Sequence, residues 1–354
     1  MNIIFLPSLS NEYGGPVVST LNLIDVIGDQ ATFLISNNIS DLKIEKSLLT
    51  KVKIKTSKNF LFSFLIYKFI KSKKHSYIFV NGCWDPFGMF LIILGIIFKK
   101  RLFLHPRGML YPWSIKKNFL AKQIFINSFY KFAQNHIDKF FCSSKDEKLF
   151  LKKYLPNAKT LIIPNYQKFE KKSKTKKNNL LSKKLLFLSR IHEKKGIHLL
   201  LDAWEIYNPR GWELVICGPI EKSAKFNFLK KFNHLKNKKV SYIGSVSITK
   251  RFSIFESCSV FILPTYQENF GNAILEALYS GLPVITTKNT PWSIIEKNFC
   301  GKIINADKDS ILESLHWLDS LDRNKLKLMS QNAQNLAEKY NLDNYKDKIR
   351  EAFG

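Results

Sequence analysis

Cysteine, acidic residues and long apolar runs are all scarce in this chain, and each shortage excludes something. Five cysteines among 354 residues, Cys83, Cys142, Cys217, Cys258 and Cys300, make an odd count with no C-x-x-C pair. Neither a disulfide framework nor a Cys-built metal site is expected, and a reducing, cytoplasmic compartment is. The most apolar stretch, 87–98, falls short of the ~20 residues that cross a bilayer and reads as a buried helix. Met1 leads at once into a strand-like run without a basic leader or small-residue cleavage site, so no signal peptide is expected. Against 56 Lys and Arg stand only 28 Asp and Glu, a formal net charge of +28; that concerns partners rather than fold. The basic residues are dispersed and no RNA- or DNA-binding motif is recognisable, so the expected anionic partner is not nucleic acid. Lys68, Lys71, Lys73 and Lys74 flank the apolar stretch 60–66, a combination suited to acidic lipid headgroups on the inner face of the plasma membrane.

What is present is strand-like runs alternating with helical patterns, the signature of a doubly wound α/β protein, in a chain longer than one core supports. The stretch 2–6 reads as a first strand, and Pro7 through Gly14-Gly15-Pro16 as a loop before the helical pattern Val17, Val18, Leu21, Leu23. Glycines at such a place admit a ligand close to the backbone. Further strands are expected at 77–80, 101–105 and 160–163. The stretch 167–184, nearly free of apolar residues until Leu180, reads as a linker, and strands resume near 185–188, 213–217, 240–243 and 259–263. The domains expected are 1–166, the linker 167–184, a second domain 185–337 and a terminal helical segment 338–354.

Two stretches carry chemistry. In the first, Pro264 ends a buried strand, a polar loop follows, and Phe270-Gly271-Asn272 opens a helix with Ile274, Leu275 and Leu278 on one side, stopped by Gly281 and Pro283. Free N–H groups at that helix start would face the carboxyl edge of the sheet, where phosphates bind in doubly wound folds. Glu268 in the loop and Glu276 eight positions on, inside the helix, are carboxylate acceptors for paired hydroxyls. The second stretch, 184–204, reads as strand, basic loop and a helix starting beyond Gly196. Arg190 offers a planar fork and Lys195 a compact charge for phosphate oxygens.

The string from Pro264 to Thr287 resembles, at nearly every position, the E-x7-E region of family 4 glycosyltransferases, retaining enzymes of the GT-B fold. The 184–204 block resembles the diphosphate-binding segment of that family, with Ser189 where glycine is frequent. The segment 101–113 resembles its Gly-Met-Leu…Pro-Trp string, and Pro164-Asn165 matches too, although Tyr166 stands where glycine is usual. The resemblance implies two Rossmann-like doubly wound domains facing a central cleft, with the terminal helix crossing back onto the first. It assigns the donor diphosphate to Arg190 and Lys195, and the donor to the run Asn269-Phe270-Gly271. Ribose hydroxyls fall to Glu276, the facing phosphate loop to Gly14 and Gly15, and the catalytic positions, in contact with the transferred sugar, to His105 and Glu268. Asn81-Gly82-Cys83-Trp84 would line the acceptor side.

The activity implied is retaining transfer of a hexose from a nucleotide-sugar, expected to be UDP-linked, to a hydroxyl of a growing glycan in cell-surface polysaccharide or lipopolysaccharide biosynthesis. The nucleotide-sugar is a co-substrate, and no other cofactor is expected. No metal requirement is expected either, because the D-x-D match Asp307-Lys308-Asp309 reads as an exposed turn. The alternatives are another GT-B enzyme, a sugar-nucleotide epimerase or a phosphorylase, and a basic nucleic-acid-binding protein.

Overall fold

The computed structural model describes residues 1–10, 13–29, 31–40, 50–58, 65–71, 76–168, 182–207, 210–235 and 238–354. They form two units, Met1–Lys168 with Leu342–Gly354, and Phe169–Asn341. Each is a parallel sheet wrapped by helices, the α/β architecture that the alternating patterns predict.

The first unit holds β1 (Asn2–Leu9), β2 (Thr32–Ile39), β3 (Lys53–Thr56), β4 (Tyr77–Asn81), β5 (Arg101–His105), β6 (Lys139–Cys142) and β7 (Thr160–Ile162), in the order β3-β2-β1-β4-β5-β6-β7. Successive side chains point to opposite faces of a strand, and that alternation divides the core. Ile3, Phe5, Ile78, Val80, Leu102 and Leu104 pack into one cluster; Ile4, Leu6, Phe79 and Phe103 pack into another. Strands covered on both faces read as unbroken apolar runs, which is why they stand out in the sequence.

Pro7 departs from expectation. β1 does not stop before it but continues to Leu9. It pairs β2 as far as Leu9, yet pairs β4 only through Ile3, Ile4 and Phe5, so proline withholds its donor where no partner strand remains. Tyr166, where the resemblance leads one to expect glycine, is buried and stacks on Tyr345 at 6.0 Å. The helix Lys346–Phe353 lies against the helix Gly15–Ile27, and the Phe353 ring lies 4.4 Å from that of Phe103. Arg101 donates to the carbonyl of Ala352 at 3.3 Å, a cation at the helix end where the macrodipole favours one.

The second unit holds β8 (Lys184–Leu188), β9 (Glu213–Cys217), β10 (Val240–Gly244), β11 (Val260–Leu263), β12 (Val284–Thr287) and β13 (Gly301–Ile304), in the order β10-β9-β8-β11-β12-β13, all parallel, around one core. In both sheets the winding reverses once, between β1 and β4 and between β8 and β11. Crossovers diverge at such a point and leave a crevice outside the carboxyl ends of the strands.

Among the described residues no helix is long and apolar enough to cross a membrane. The 87–98 run forms the helix Pro86–Ile97, whose cap Asp85 accepts from the Phe87 and Gly88 amides. All five cysteines are buried and none forms a disulfide. The expected linker falls largely on residues 169–181, and the expected lipid-facing stretch largely on 59–64 and 72–75; these lie outside the described residues.

Candidate active site

The loop after β8 is shaped by two glycines. Gly218, at φ +137°, would put a Cβ 1.8 Å from the Ser189 carbonyl oxygen, so only glycine lets the segments after β8 and β9 run side by side. Beyond Arg190, a tight turn Glu193–Lys195 is started by His192, whose Nδ1 accepts from the Lys194 amide at 3.0 Å. It ends at Gly196, at φ +70°, where a Cβ would lie 2.0 Å from the Pro264 carbonyl oxygen. There the loop touches the end of β11. The Lys194 carbonyl fastens the contact by accepting from the Tyr266 amide and from Thr265 Oγ1, both at 2.9 Å. Lys195 and Glu268, 73 positions apart, are thereby brought into an ion pair with each side chain 13% exposed. Burial, the largest influence, lowers the Lys194 pKa, with Glu268 opposing and Lys195 and Arg190 adding.

Arg190 lies on the same loop, more than half exposed and paired with Glu221; His192 Nε2 is 3.7 Å from the same carboxylate. Gly271, at φ +83°, precedes the helix Asn272–Tyr279, and no side chain caps that start. Phe270 turns its ring inward against Trp292 and Tyr340, at 5.1 and 5.7 Å, and its carbonyl accepts from the Trp292 indole. A ligand at this turn would therefore meet its backbone rather than its ring. Glu276 is nearly buried, and Arg251 Nη1 lies 3.4 Å from its Oε2.

The candidates of the first unit gather at the reversal point of their own sheet. Gly14, at φ +64°, precedes the helix Gly15–Ile27, in which Ser19 Oγ donates to the Gly15 carbonyl at 3.1 Å. Arg107 donates from Nη1 to Ser19 Oγ at 2.7 Å and from Nε to Asn81 Oδ1 at 2.9 Å. Asn81 in turn donates from Nδ2 to the Phe5 carbonyl at 2.8 Å. Asn81 and Cys83 are buried, so they brace the loop from beneath. His105 ends β5, 5% exposed, with Nε2 at 3.6 Å from Glu147 Oε2. Burial, with Arg107 adding, pushes its pKa down to about 4 against the opposing pull of Glu147, so the ring is neutral near neutral pH. The Glu147 carboxylate accepts from the Gly108 amide at 2.6 Å and the Ser143 amide at 2.7 Å. Its burial raises its pKa, and the His105 contact with these amides outweighs that, leaving it lowered.

The sequence did not single out Glu221, Arg251 or Glu147. Each meets its partner from a distant loop or helix, and no local spacing carries such a pairing. Among the described residues no group of three His, Cys, Asp or Glu is arranged to hold a metal ion; Asp307 caps the helix Lys308–Leu318 by accepting from the Ser310 amide.

Residues 168–336 match the family model described as glycosyl transferases group 1. Among curated proteins, the capsular polysaccharide biosynthesis glycosyltransferase CapM of Staphylococcus aureus is 32% identical over 106 residues, 29% of this chain and 27% of that one. A probable sucrose-phosphate synthase of Thermosipho melanesiensis is 26% identical over 162 residues, 44% of this chain and 37% of that one. The matched segments thus span well under half the length of these relatives. Among solved structures, Anabaena HepE in complex with UDP and glucose superposes with a TM-score of 0.77 at 16% identity, over 99% of this chain and 98% of that one. WaaG, a glycosyltransferase involved in lipopolysaccharide biosynthesis, superposes at 0.71 with 13% identity, over 100% and 99%. At such identities the likeness is one of fold. The chain therefore has the two-domain GT-B fold, and residues 168–336 of its carboxy-terminal unit are similar to the glycosyl transferases group 1 family.

Proposed function

We propose that the chain is a retaining glycosyltransferase of the family 4 type, moving a hexose from a UDP-linked donor to a hydroxyl of a growing glycan in cell-surface polysaccharide or lipopolysaccharide biosynthesis. The observation that carries this reading is the meeting of Lys195 with Glu268, beside the start of the helix Asn272–Tyr279 and with Arg190 on the same loop. It supplies cations for a diphosphate and a carboxylate for sugar hydroxyls at a sheet's reversal point. UDP and glucose in the similarly folded HepE, and the capsule-building relative CapM, support the same reading.

Departure of the nucleoside diphosphate builds negative charge that preorganised cations and amides stabilise. Two charged contacts, at about 1.5–3 kcal/mol each, correspond to roughly 10²–10⁴ in rate, without a metal. Glu268 accepts from hydroxyls of the sugar, and Glu276, steadied by Arg251, from those of the ribose. Gly14 and Gly15 leave the backbone of their own loop open to close approach by a ligand. Neutral His105 hydrogen-bonds the sugar without bringing charge. In a same-face attack the bond from the anomeric carbon to phosphate breaks and the bond to the acceptor oxygen forms, while the acceptor's proton passes to a phosphate oxygen. No separate base is needed. The net charge of +28 supports work at the cytoplasmic face of an anionic membrane.

A thermal-shift panel of sugar nucleotides, with and without EDTA, joined to transfer assays of Arg190→Ala, tests the reading. A UDP-hexose should raise Tm equally in both conditions, and Arg190→Ala should lose about 100-fold in transfer, the scale of one charged contact of ~3 kcal/mol, with its unliganded melt unchanged. Wild-type turnover by Arg190→Ala would overturn the assignment, and donor consumption without acceptor would indicate an epimerase.

A further inference from the structure

In the first unit the segment 112–133 is apolar on two sides. Its inward side is accounted for, since Ile115, Ile126, Tyr130 and Ala133 belong to the core and the Trp84 and Tyr130 rings meet edge to face at 6.1 Å. Its outward side is the anomaly. Phe119, Leu120, Ile124, Phe125 and Phe132 are exposed, from 46% for Phe125 to 77% for Leu120. They stand on the helix Phe119–Phe125, which runs through a wider turn, Ile126–Tyr130, into Lys131–Ala133. A helix on a soluble surface ordinarily turns its polar residues outward, and contiguous exposed apolar side chains mark a binding face.

Charge says what the face fits. From Asp85 to Asp138 the sequence has eight Lys and Arg and not one Asp or Glu between them. Lys116, Lys117 and Lys131 are exposed within the segment itself, and Lys122 lies over the Trp84 ring at 5.4 Å while donating to the Ser114 carbonyl. Apolar side chains standing among lysines, with no acid to repel phosphate, form the pattern that rests in the headgroup layer of an anionic bilayer. A protein partner of acidic character would meet the lysines but not five protruding hydrocarbon groups; a second copy of this chain would bring like charge against like.

We propose that the outward face of 112–133 is a membrane-docking surface, inserting Phe119, Leu120, Ile124, Phe125 and Phe132 among acyl chains while Lys116, Lys117 and Lys131 meet anionic headgroups. This deepens the reading that the protein works at an anionic membrane, and it uses neither donor nor acceptor chemistry. The surface lies apart in sequence from the 60–74 stretch that composition alone brings forward.

The test is co-sedimentation of the full chain with vesicles of phosphatidylglycerol and phosphatidylethanolamine in equal parts, against phosphatidylcholine vesicles. The wild type should bind the first and not the second. Leu120→Ser with Ile124→Ser should lower the bound-to-free ratio at least about tenfold, as should Lys116→Glu with Lys117→Glu at low salt. Both variants should keep the wild-type melting temperature and its shift with UDP, because every altered side chain is exposed. Tryptophan emission should move to the blue on vesicle binding, and Trp113→Phe should diminish that move. Vesicle binding unchanged in both double variants would overturn this surface while leaving membrane association intact. A wild type that binds neither vesicle would overturn both, as would one that dimerises through this face and becomes monomeric in Leu120→Ser with Ile124→Ser.

Discussion

Glu268→Gln separates two demands placed on one carboxylate. Glu268 pairs with Lys195, each side chain 13% exposed, so a diphosphate that takes the ammonium must first break or share that pair. Neighbouring charges this sheltered couple by about 1–2 kcal/mol, which removal of the carboxylate returns to the ligand. UDP should then bind Glu268→Gln roughly 5- to 30-fold more tightly than wild type. A UDP-hexose should gain nothing, because the lost acceptor for its hydroxyls costs about 1.5–3 kcal/mol and offsets the same gain. Transfer should fall, since those hydroxyl contacts orient the sugar for attack. Calorimetric titration of both ligands into both proteins at low ionic strength reads the difference directly, and Lys195→Met, which should weaken both ligands, is the control. Unchanged or weaker UDP binding by Glu268→Gln, or equal shifts for the two ligands, would refute the reasoning.

Two further predictions concern stability. His105 is held neutral in the fold, with its pKa pushed down to about 4, whereas an unfolded histidine takes up a proton below about pH 6.5. Its contribution is therefore complete above that pH and is lost as pH falls toward 4, at about 1.4 kcal/mol per pH unit. Urea melts between pH 7 and 4.5 should show a shallower loss in His105→Gln, and identical loss in both proteins would count against the reading. Gly196→Ala should loosen the contact between the loops after β8 and β11, because its Cβ would stand 2.0 Å from the Pro264 carbonyl oxygen and a left-handed alanine costs a further ~1–2 kcal/mol. Gly244→Ala, also at positive φ but with nothing within 4 Å of its Cβ, isolates the conformational part. Gly196→Ala should lower the melting temperature further than Gly244→Ala and weaken UDP binding, and equivalence of the two would sink the argument.

How far the fold is legible depends on whether a feature is local. Strands such as Val260–Leu263, buried throughout, announce themselves because parallel strands covered on both faces have no polar side. Pro7 misleads because its cost depends on which neighbour β1 has already lost, a property of the sheet. Arg190, Lys195, Glu268 and Glu276 are legible as a pattern, whereas Glu221, Arg251 and Glu147 are not, since each answers a charge from elsewhere in the chain. Phe270 shows the same limit within one motif: its neighbours Asn269 and Gly271 edge the turn while its own ring sits in the core. Periodicity likewise finds the apolar residues of 112–133 without saying which of two apolar sides the core covers.

These distant acids explain how so basic a chain keeps three cations on one short loop. Arg190, Lys194 and Lys195 fall within six consecutive positions, and like charges this close oppose one another in a sheltered site. Glu221 answers Arg190 and Glu268 answers Lys195, and Glu193 supplies a third negative charge within the loop itself. The loop is thus nearly neutral although the molecule is not. A donor entering such a site exchanges partners rather than meeting bare charge, so selectivity falls on a ligand that satisfies both sides of each pair, phosphate for the cation and a hydroxyl for the released carboxylate. Inorganic diphosphate has only the first and should bind far more weakly than a sugar nucleotide, a contrast that simple attraction to a basic protein would not produce.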